Sequence, residues 1–397
     1  MRPAAIIGFG QTDFVTRRLD VTYPELVGEG ARLAMRDAGL EMPDIDAVVI
    51  PLAPDALIGV GNGERWVVET LGVTGKPVMR VNTGGATGMT AVQAGYVHVA
   101  SGQFDVVLVA GADRVSESAS AQAVLNKMWD VGYERLYPLN TITMLALSAQ
   151  RYLQRYGATE RDLANVTVKA RDHAARNPHA HLRMPITVDD VLATRMISWP
   201  LRLASLCPSS TGAAAVVIAS ADAVARTKRT PAWFRGIAQS SETFWMGDRV
   251  GPRSVGDHAD APALAEAIVR AYGQAGIVDP TKDVQVGELY APFSSTELHV
   301  IEAAGFCNVG ESFRRINGGE FGLGHRGPVV NPSGGVMCAN PIAVTGLVRA
   351  GEASLQVTGR AGEHQVEGAD VALATAIGGD HQFYAATVLA NHLERIS

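Results

Sequence analysis

The chain has 397 residues, 47% of them hydrophobic and 19% charged, with 34 Lys and Arg against 40 Asp and Glu and a formal charge of −6. These values exclude a disordered chain, give enough length to bury a sizeable core in two domains, and leave no basic run longer than a pair such as Lys228-Arg229 to bind nucleic acid. Small-molecule chemistry is the class that remains. Three cysteines, Cys207, Cys307 and Cys338, are too few and too irregularly spaced for a disulfide framework or a zinc site, so a reducing compartment is expected.

The N-terminal apolar run, Ala4 to Phe9, is too short for a signal peptide, and the polar Gln11 and Asp13 stop it from extending. Later apolar runs such as Val106 to Ala110 and Ala213 to Ala219 fall far below the roughly 20 residues of a membrane span. A soluble, cytoplasmic protein with no membrane contact is expected. Strand and helix signals alternate from the start: Ala4 to Gly8, a helical pattern over Val27 to Ala38, Ala47 to Ile50, a helical pattern over Thr87 to Ser101, then Val106 to Val109. This alternation predicts an α/β architecture whose strands, being continuously apolar, are buried on both faces.

An internal repeat is more informative. Val81-Asn82-Thr83-Gly84-Gly85-Ala86 precedes a helical pattern, then an Asp-led strand Asp105 to Val109. In the second half, Val330-Asn331-Pro332-Ser333-Gly334-Gly335 precedes a helical pattern through Leu347 to Leu355, then an Asp-led strand Asp370 to Ala374 ending in Gly378-Gly379-Asp380. Each copy reads strand, Asn-led turn closing on Gly-Gly, helix, strand, which predicts a duplicated fold. The boundaries expected are 1–225 for the first domain, with residues 112–205 inserted as a loop region, and 226–397 for the second; a linker is expected near Ala221 to Thr230. The insertion holds Asn177-Pro178-His179-Ala180-His181, a His-x-His pair with no third ligand at usable spacing, read as a solvated loop.

These segments together resemble the thiolase superfamily, nearest to its sterol carrier protein and lipid-transfer-protein branch. The resemblance runs through Gly8 to Thr12, Val81 to Val92, Cys207 to Ala215, Glu288 to Glu302, Asn331 to Gly346, Gly362 to Val366 and Ile377 to Gly379. It implies a five-layered αβαβα fold of two duplicated halves, and a dimer. It also implies a nucleophilic cysteine in a stretch like V-N-N-A-C-S-S-G, and here Gly85 stands at that position. A thiolate at a helix N-terminus is what acyl transfer requires, so the family's ping-pong route is closed. Asn340 stands where the G-H-P motif has histidine, and Tyr290 replaces the Asn or His of N-E-A-F and H-D-x-F.

What survives is the backbone. In the family one oxyanion hole uses the N–H groups at the cysteine position and the C-terminal glycine loop, here Gly85 and Gly379, and such donors suit a thioester enolate as well as a tetrahedral intermediate. The resemblance to cysteine-less steroid side-chain aldolases therefore implies retro-aldol cleavage of a β-hydroxyacyl-CoA, with steroid-derived or other bulky side chains as the leading substrate class and Tyr290 as base. A free phenol titrates near pH 10, so its pKa must be lowered or its proton passed on. Asp380 and His381 follow the glycine turn and are read as tuning or relaying that proton, the alternative being a surface loop pair. Asn340 is read as positioning the substrate hydroxyl or carbonyl. Cys338 is read as a displaced nucleophile or a small buried thiol near the substrate, and Cys207 and Cys307 as core. No cofactor is expected beyond the coenzyme A thioester substrate, and a separate small partner carrying an OB fold and a zinc ribbon is implied. Two rival readings stay open: an acyl-CoA acyltransferase of unusual mechanism, and a non-catalytic subunit that binds acyl-CoA.

Overall fold

The computed structural model describes residues 1–249 and 257–393. Its strands are β1 (Ala4–Gln11), β2 (Ala47–Pro51), β3 (Val78–Val81), β4 (Val106–Arg114), β5 (Met196–Ser198), β6 (Leu201–Arg202), β7 (Thr211–Ser220), β8 (Ala232–Ser241), β9 (Val286–Glu288), β10 (Val329–Val330), β11 (Val371–Gly378) and β12 (Phe383–Ala390). β5 and β6 form a separate small hairpin, and the other ten make one mixed sheet. Its order is β3-β2-β4-β7-β1 in the first half and β10-β9-β11-β12-β8 in the second. Ranked within each half, both read 3-2-4-5-1, so the repeat seen in the residues is a repeat of topology. The halves join through the short antiparallel pairing of Ala5 with Trp233 and Ile6 with Ala232.

Alternate side chains of a strand face opposite ways, and here both directions are apolar. Ala4 and Ile6 enter the large central core with Met89 and Val92. Ala5 and Ile7 enter a second core with Tyr23, Leu26 and Val27 from the Tyr23–Ala38 helix. That helix covers the outer face of the first half, and the Pro262–Ala275 helix packs on β8 and β12 of the second. Between the halves lie the Thr87–Ala100 and Ile342–Val357 helices, packed on one another and on both halves. They cross at Gly88 and Gly346: a Cβ on Gly88 would fall 2.4 Å from the Leu347 N, and one on Gly346 2.6 Å from the Met89 N. Helix, half-sheet, helix pair, half-sheet, helix is the five-layered thiolase arrangement.

Residues 112–205 are not the loop region that was expected. They contain the Thr141–Tyr156 and Glu160–Ala174 helices. The scattered aromatic and charged residues divide between the buried and the exposed sides of one helix: Tyr152 is fully buried, whereas Arg151, about 100° round the helix, is exposed and paired with Asp257. Asn140 accepts from the Ile142 and Thr143 N–H groups, and Thr159 from Asp162 N–H, so each helix has a side-chain N-cap.

The strand end that leads into the site is held by buried charge. Glu288, at the end of β9, pairs with Arg349 of the Ile342–Val357 helix, and both are almost fully shielded. Ser333 closes the set, donating to Glu288 through its N–H (3.1 Å) and its hydroxyl (2.9 Å). Removing one partner leaves a buried charge uncompensated. Arg349→Met is therefore expected to lower the unfolding free energy in urea by about 3–5 kcal/mol, whereas Arg270→Met, which breaks an exposed pair with Glu266, should barely change it. Equal losses in the two variants would contradict this account.

Candidate functional site

Two glycine turns meet where the halves face each other. In the first, Asn82 Oδ1 accepts from Gly84 N–H (3.1 Å), Thr83 N–H donates to Thr87 Oγ1 (2.8 Å), and Thr87 N–H donates to the Gly84 carbonyl (3.1 Å). The turn thus runs straight into the Thr87–Ala100 helix, with Gly85 two residues ahead of it. The second turn is Gly378-Gly379, at the end of β11. The two pack backbone against backbone: a Cβ on Gly378 would lie 2.0 Å from the Thr83 carbonyl oxygen and 3.0 Å from Gly85 N, and one on Gly84 would lie 2.9 Å from Gly379 N. Contacts this short leave room only for glycine.

Tyr290 leaves the end of β9 in a fixed direction. Leu289 N–H donates to Asn331 Oδ1 (2.7 Å) and Tyr290 N–H to Thr375 Oγ1 (2.9 Å), so side chains take over where the strand ladder stops. Asn331 Nδ2 donates in turn to Glu297 Oε2 (2.7 Å), and Glu297 pairs with the buried Lys169. The phenol points at Gly85: a Cβ there would fall 2.6 Å from Tyr290 Oη and 2.5 Å from the Ile377 carbonyl oxygen. The hydroxyl occupies the space that any side chain at position 85 would need. Burial raises the Tyr290 pKa above that of a free phenol, Cys207 and Asp113 add to the rise, and Arg349 opposes it. The lowered phenol pKa entertained from the sequence is therefore not found.

A cavity of about 270 Å³ opens between the turns, lined by Gly85, Tyr290, Asn340, Gly379, Asp380 and His381, with Cys207 beside them. Its other wall is apolar, from Leu125, Met128, Ile142, Leu145, Leu206 and Phe293. Six of the residues singled out in the sequence therefore share one cavity. Asn340 is fixed within it: Nδ2 donates to Cys207 Sγ (3.1 Å), and Oδ1 accepts from Thr345 Oγ1 (3.0 Å). Cys338 is not in this group. Its thiol is fully buried, faces the Ala170 carbonyl (3.4 Å), and is pushed up to about 12 by burial.

Asp380 and His381 both adopt left-handed backbone, with φ of 54° and 63°. Asp380 Oδ1 and His381 Nε2 are sealed from solvent without a protein hydrogen-bond partner. Burial pushes the Asp380 carboxyl up to about 7; Glu134 reinforces this and Arg249 opposes it. Burial holds His381 well below the usual imidazole range, with His299, His258 and Arg249 adding to the effect.

Two residues at the site escaped the sequence reading. Cys207 was assigned to the core but lines the cavity, its thiol pushed up to about 12 by burial and partly offset by the Asn340 amide. Its place in the Cys207-Pro-Ser-Ser run was the available signal. Asp113 is fully buried at the N-terminus of the Ile342–Val357 helix, accepts from Ala343 N–H (2.8 Å), and is pushed up to about 6 by burial. It ends an apolar strand, and only its charge marks it. The His179 and His181 pair is divided between separate partners, Asp13 for one and Ser210 and Thr16 for the other. Among the described residues no cluster of three or more His, Cys, Asp or Glu is placed to hold a metal, and no helix is long and apolar enough to cross a membrane.

This chain belongs to the thiolase family. The thiolase N-terminal domain matches residues 4–195, and the thiolase C-terminal domain-like family matches residues 253–391. Acetyl-CoA acetyltransferase of Methanothermobacter thermautotrophicus is 31% identical over 381 residues, 96% of this chain and 97% of that one. Sterol carrier protein 2 of Gallus gallus is 30% identical over 389 residues, 95% of this chain and 70% of that one. A solved structure described as an Ltp2-ChsH2(DUF35) aldolase superimposes with a TM-score of 0.81 at 28% identity, covering 98% of this chain and 97% of that one.

The packing of Gly85 is directly testable. Gly85→Ala forces a methyl group into the Tyr290 hydroxyl and the Ile377 carbonyl and is expected to destabilise the fold by about 1–3 kcal/mol. Adding Tyr290→Ala should recover only part of that, because the carbonyl is backbone. A Gly85→Ala protein with parental stability in urea would show that the two turns do not approach this closely.

Proposed function

We propose that this protein is a carbon–carbon lyase that cleaves a β-hydroxyacyl-CoA by a retro-aldol reaction. The observation that carries the reading is the exchange at one point in space: glycine at position 85, and the Tyr290 phenol in the volume a nucleophilic side chain would fill. An acyl-enzyme intermediate has no sulfur there to form on, while a hydroxyl beside two backbone N–H groups suits a substrate that carries a β-hydroxyl and a thioester.

In the proposed cycle the thioester oxygen takes hydrogen bonds from the Gly85 and Gly379 N–H groups, and the β-hydroxyl meets Tyr290. The hydroxyl proton moves to the Tyr290 oxygen as the phenol's own proton moves to a carboxylate. Asp380 is assigned that role, since it lines the same cavity and its carboxyl, pushed up to about 7, is matched to neutral pH. The C–C electron pair becomes the enolate of the shorter acyl-CoA, whose charge the two N–H groups stabilise. The proton then returns through Tyr290 to the α-carbon, which restores both groups and releases a ketone or aldehyde. Asn340 orients the carbonyl product, and His381 is held neutral beside Asp380. The apolar wall fits a hydrocarbon substituent on the carbonyl fragment, a steroid side chain among the candidates.

The solved aldolase is an Ltp2-ChsH2(DUF35) pair, and we extend that to this chain: activity requires a small partner protein. We propose separately, from the family resemblance, that the chain pairs with a second copy of itself. Acyltransfer is the second reading, favoured by the acetyl-CoA acetyltransferase relatives. It needs a thiolate, and all three thiols are pushed up to about 12 by burial.

Purified protein, alone and with such a partner, is tested against β-hydroxyacyl-CoA esters. Tyr290→Phe keeps the ring packing and removes the hydroxyl, so cleavage is expected to fall on the order of a hundredfold or more while acyl-CoA affinity and stability hold. Unchanged turnover in that variant would remove Tyr290 from the mechanism. Cys338→Ala is expected to leave cleavage intact, because its thiol faces Ala170 rather than the cavity; inactivation by this change together with iodoacetamide would shift the balance to acyltransfer.

A further inference from the structure

The turn that carries Asp380 and His381 does not hold its shape unaided. Three consecutive residues, Gly379, Asp380 and His381, have φ of 59°, 54° and 63°. A side chain with a Cβ keeps left-handed backbone only where surrounding contacts over-determine it. The Gln382 N–H closes the turn on the Gly378 carbonyl (3.0 Å), and the side-chain contact that holds Asp380 itself comes from Arg249. Its Nη1 donates to the Asp380 carbonyl oxygen (2.8 Å), while Nε (3.1 Å) and Nη2 donate to the Thr243 carbonyl oxygen. The side chain is 8% exposed. One planar guanidinium thus ties the catalytic turn to the segment leaving β8, using the fixed fork that only arginine supplies.

We propose that Arg249 is the positioning residue of this site: by bridging the Asp380 and Thr243 carbonyls it holds Asp380 and His381 in the left-handed turn that faces the acyl-CoA cavity. Asp380's catalytic role in this statement rests on the lyase reading; the clamp itself does not. A second cavity, of about 30 Å³, lies behind the turn and is lined by Arg249, His258, His381 and Tyr384, so Arg249 stands on the side of the turn away from the substrate. It touches neither the substrate cavity nor any reacting atom in the proposed cycle.

The clamp also places a permanent cation beside two titratable groups. Arg249 opposes the upward push of burial on Asp380 and adds to the depression of His381 and His258. Glu134, His258, His299 and Tyr384 also face the pair, and Glu242, Asp257 and Asp260 lie further along the same chamber. With the cation present, Asp380 ionises more readily and His381 stays neutral, which is the division of charge a carboxylate base requires. Removing the cation raises the Asp380 midpoint, so the acidic limb of the cleavage profile moves to higher pH.

The test compares Arg249→Ala and Arg249→Lys with the parent, each with its partner protein present. In Arg249→Ala, kcat for β-hydroxyacyl-CoA cleavage is expected to fall at least about tenfold with KM nearly unchanged, the acidic limb to move up, and added guanidinium to restore part of the rate. Arg249→Lys keeps the charge but not the fork, so kcat should fall while the limb stays in place; this variant carries the test if the alanine protein does not fold. A fall in kcat with neither a limb shift nor guanidinium rescue would reduce Arg249 to a structural residue and overturn the proposal, as would a parental kcat in both variants. A parent that cleaves no β-hydroxyacyl-CoA would sink the lyase reading alone. The clamp is then judged by the carboxyl ¹³C titration of Asp380, which must move up in Arg249→Ala if the proposal holds and stay put if it is wrong.

Discussion

The close approach of two glycine turns is the constraint on which the site depends. Gly378 lies so near the Thr83 carbonyl and the Gly85 N–H that no side chain fits between them, and this contact is made across the halves, between the turn after β3 and the turn after β11. Each half delivers a strand end and a turn to the same place, and the Thr87–Ala100 and Ile342–Val357 helices, touching at Gly88 and Gly346, set how far apart those ends lie. A change in helix spacing would move both turns, and with them the Gly85 and Gly379 backbone that lines the cavity. Backbone donors positioned in this way need no reorganisation when charge develops. Their geometry belongs to the packing of the halves rather than to any one side chain.

Buried polar pairs hold the Tyr290 side of the cavity to comparable precision. Glu288 with Arg349, and Glu297 with Lys169 and Asn331, brace the end of β9 from opposite sides, and Asn331 bonds directly to Leu289 N–H. Replacing such pairs with apolar residues is often neutral for stability, so stability alone is a weak reason for them. Their directional bonds give the strand end one orientation, and the Tyr290 ring inherits it. An apolar core would leave the ring free to repack, and a shift of even about 1 Å would bring it into the Ile377 carbonyl or away from Gly85.

Fold and repeat were legible in the sequence because they are written in periodicity and glycine placement, which act locally. Asn82 to Ala86 and Asn331 to Gly335 announce the turns, and the continuous apolar strands announce burial on both faces. The helices within 112–205 were missed because Arg151 beside Tyr152 looks like scatter until one is seen to face the core and the other solvent. Cys207 and Asp113 were missed for a different reason. Their importance comes from neighbours far away in the chain, Asn340 for one and the Ala343 N–H for the other, and no spacing rule encodes such contacts. The direction of the Tyr290 pKa was also invisible, since it depends on how completely the ring is enclosed.

The three departures from the thiolase pattern are physically linked. A phenol at position 290 and a side chain at position 85 compete for one volume, so tyrosine at 290 requires glycine at 85. Asparagine at 340 then meets a neutral Cys207 thiol and the Thr345 hydroxyl, partners for an amide that neither gains nor loses a proton. A histidine there would bring a titrating group to a cavity where Asp380 and His381 already divide the charge between them. In the proposed cycle the N–H groups of Gly85 and Gly379 are the one element indifferent to these exchanges, because backbone donors suit a thioester oxygen whether the charge arises by nucleophilic addition or by loss of a carbon–carbon bond. In the proposed lyase the old scaffold keeps its electrostatics, and the site of covalent attack becomes the seat of a proton carrier.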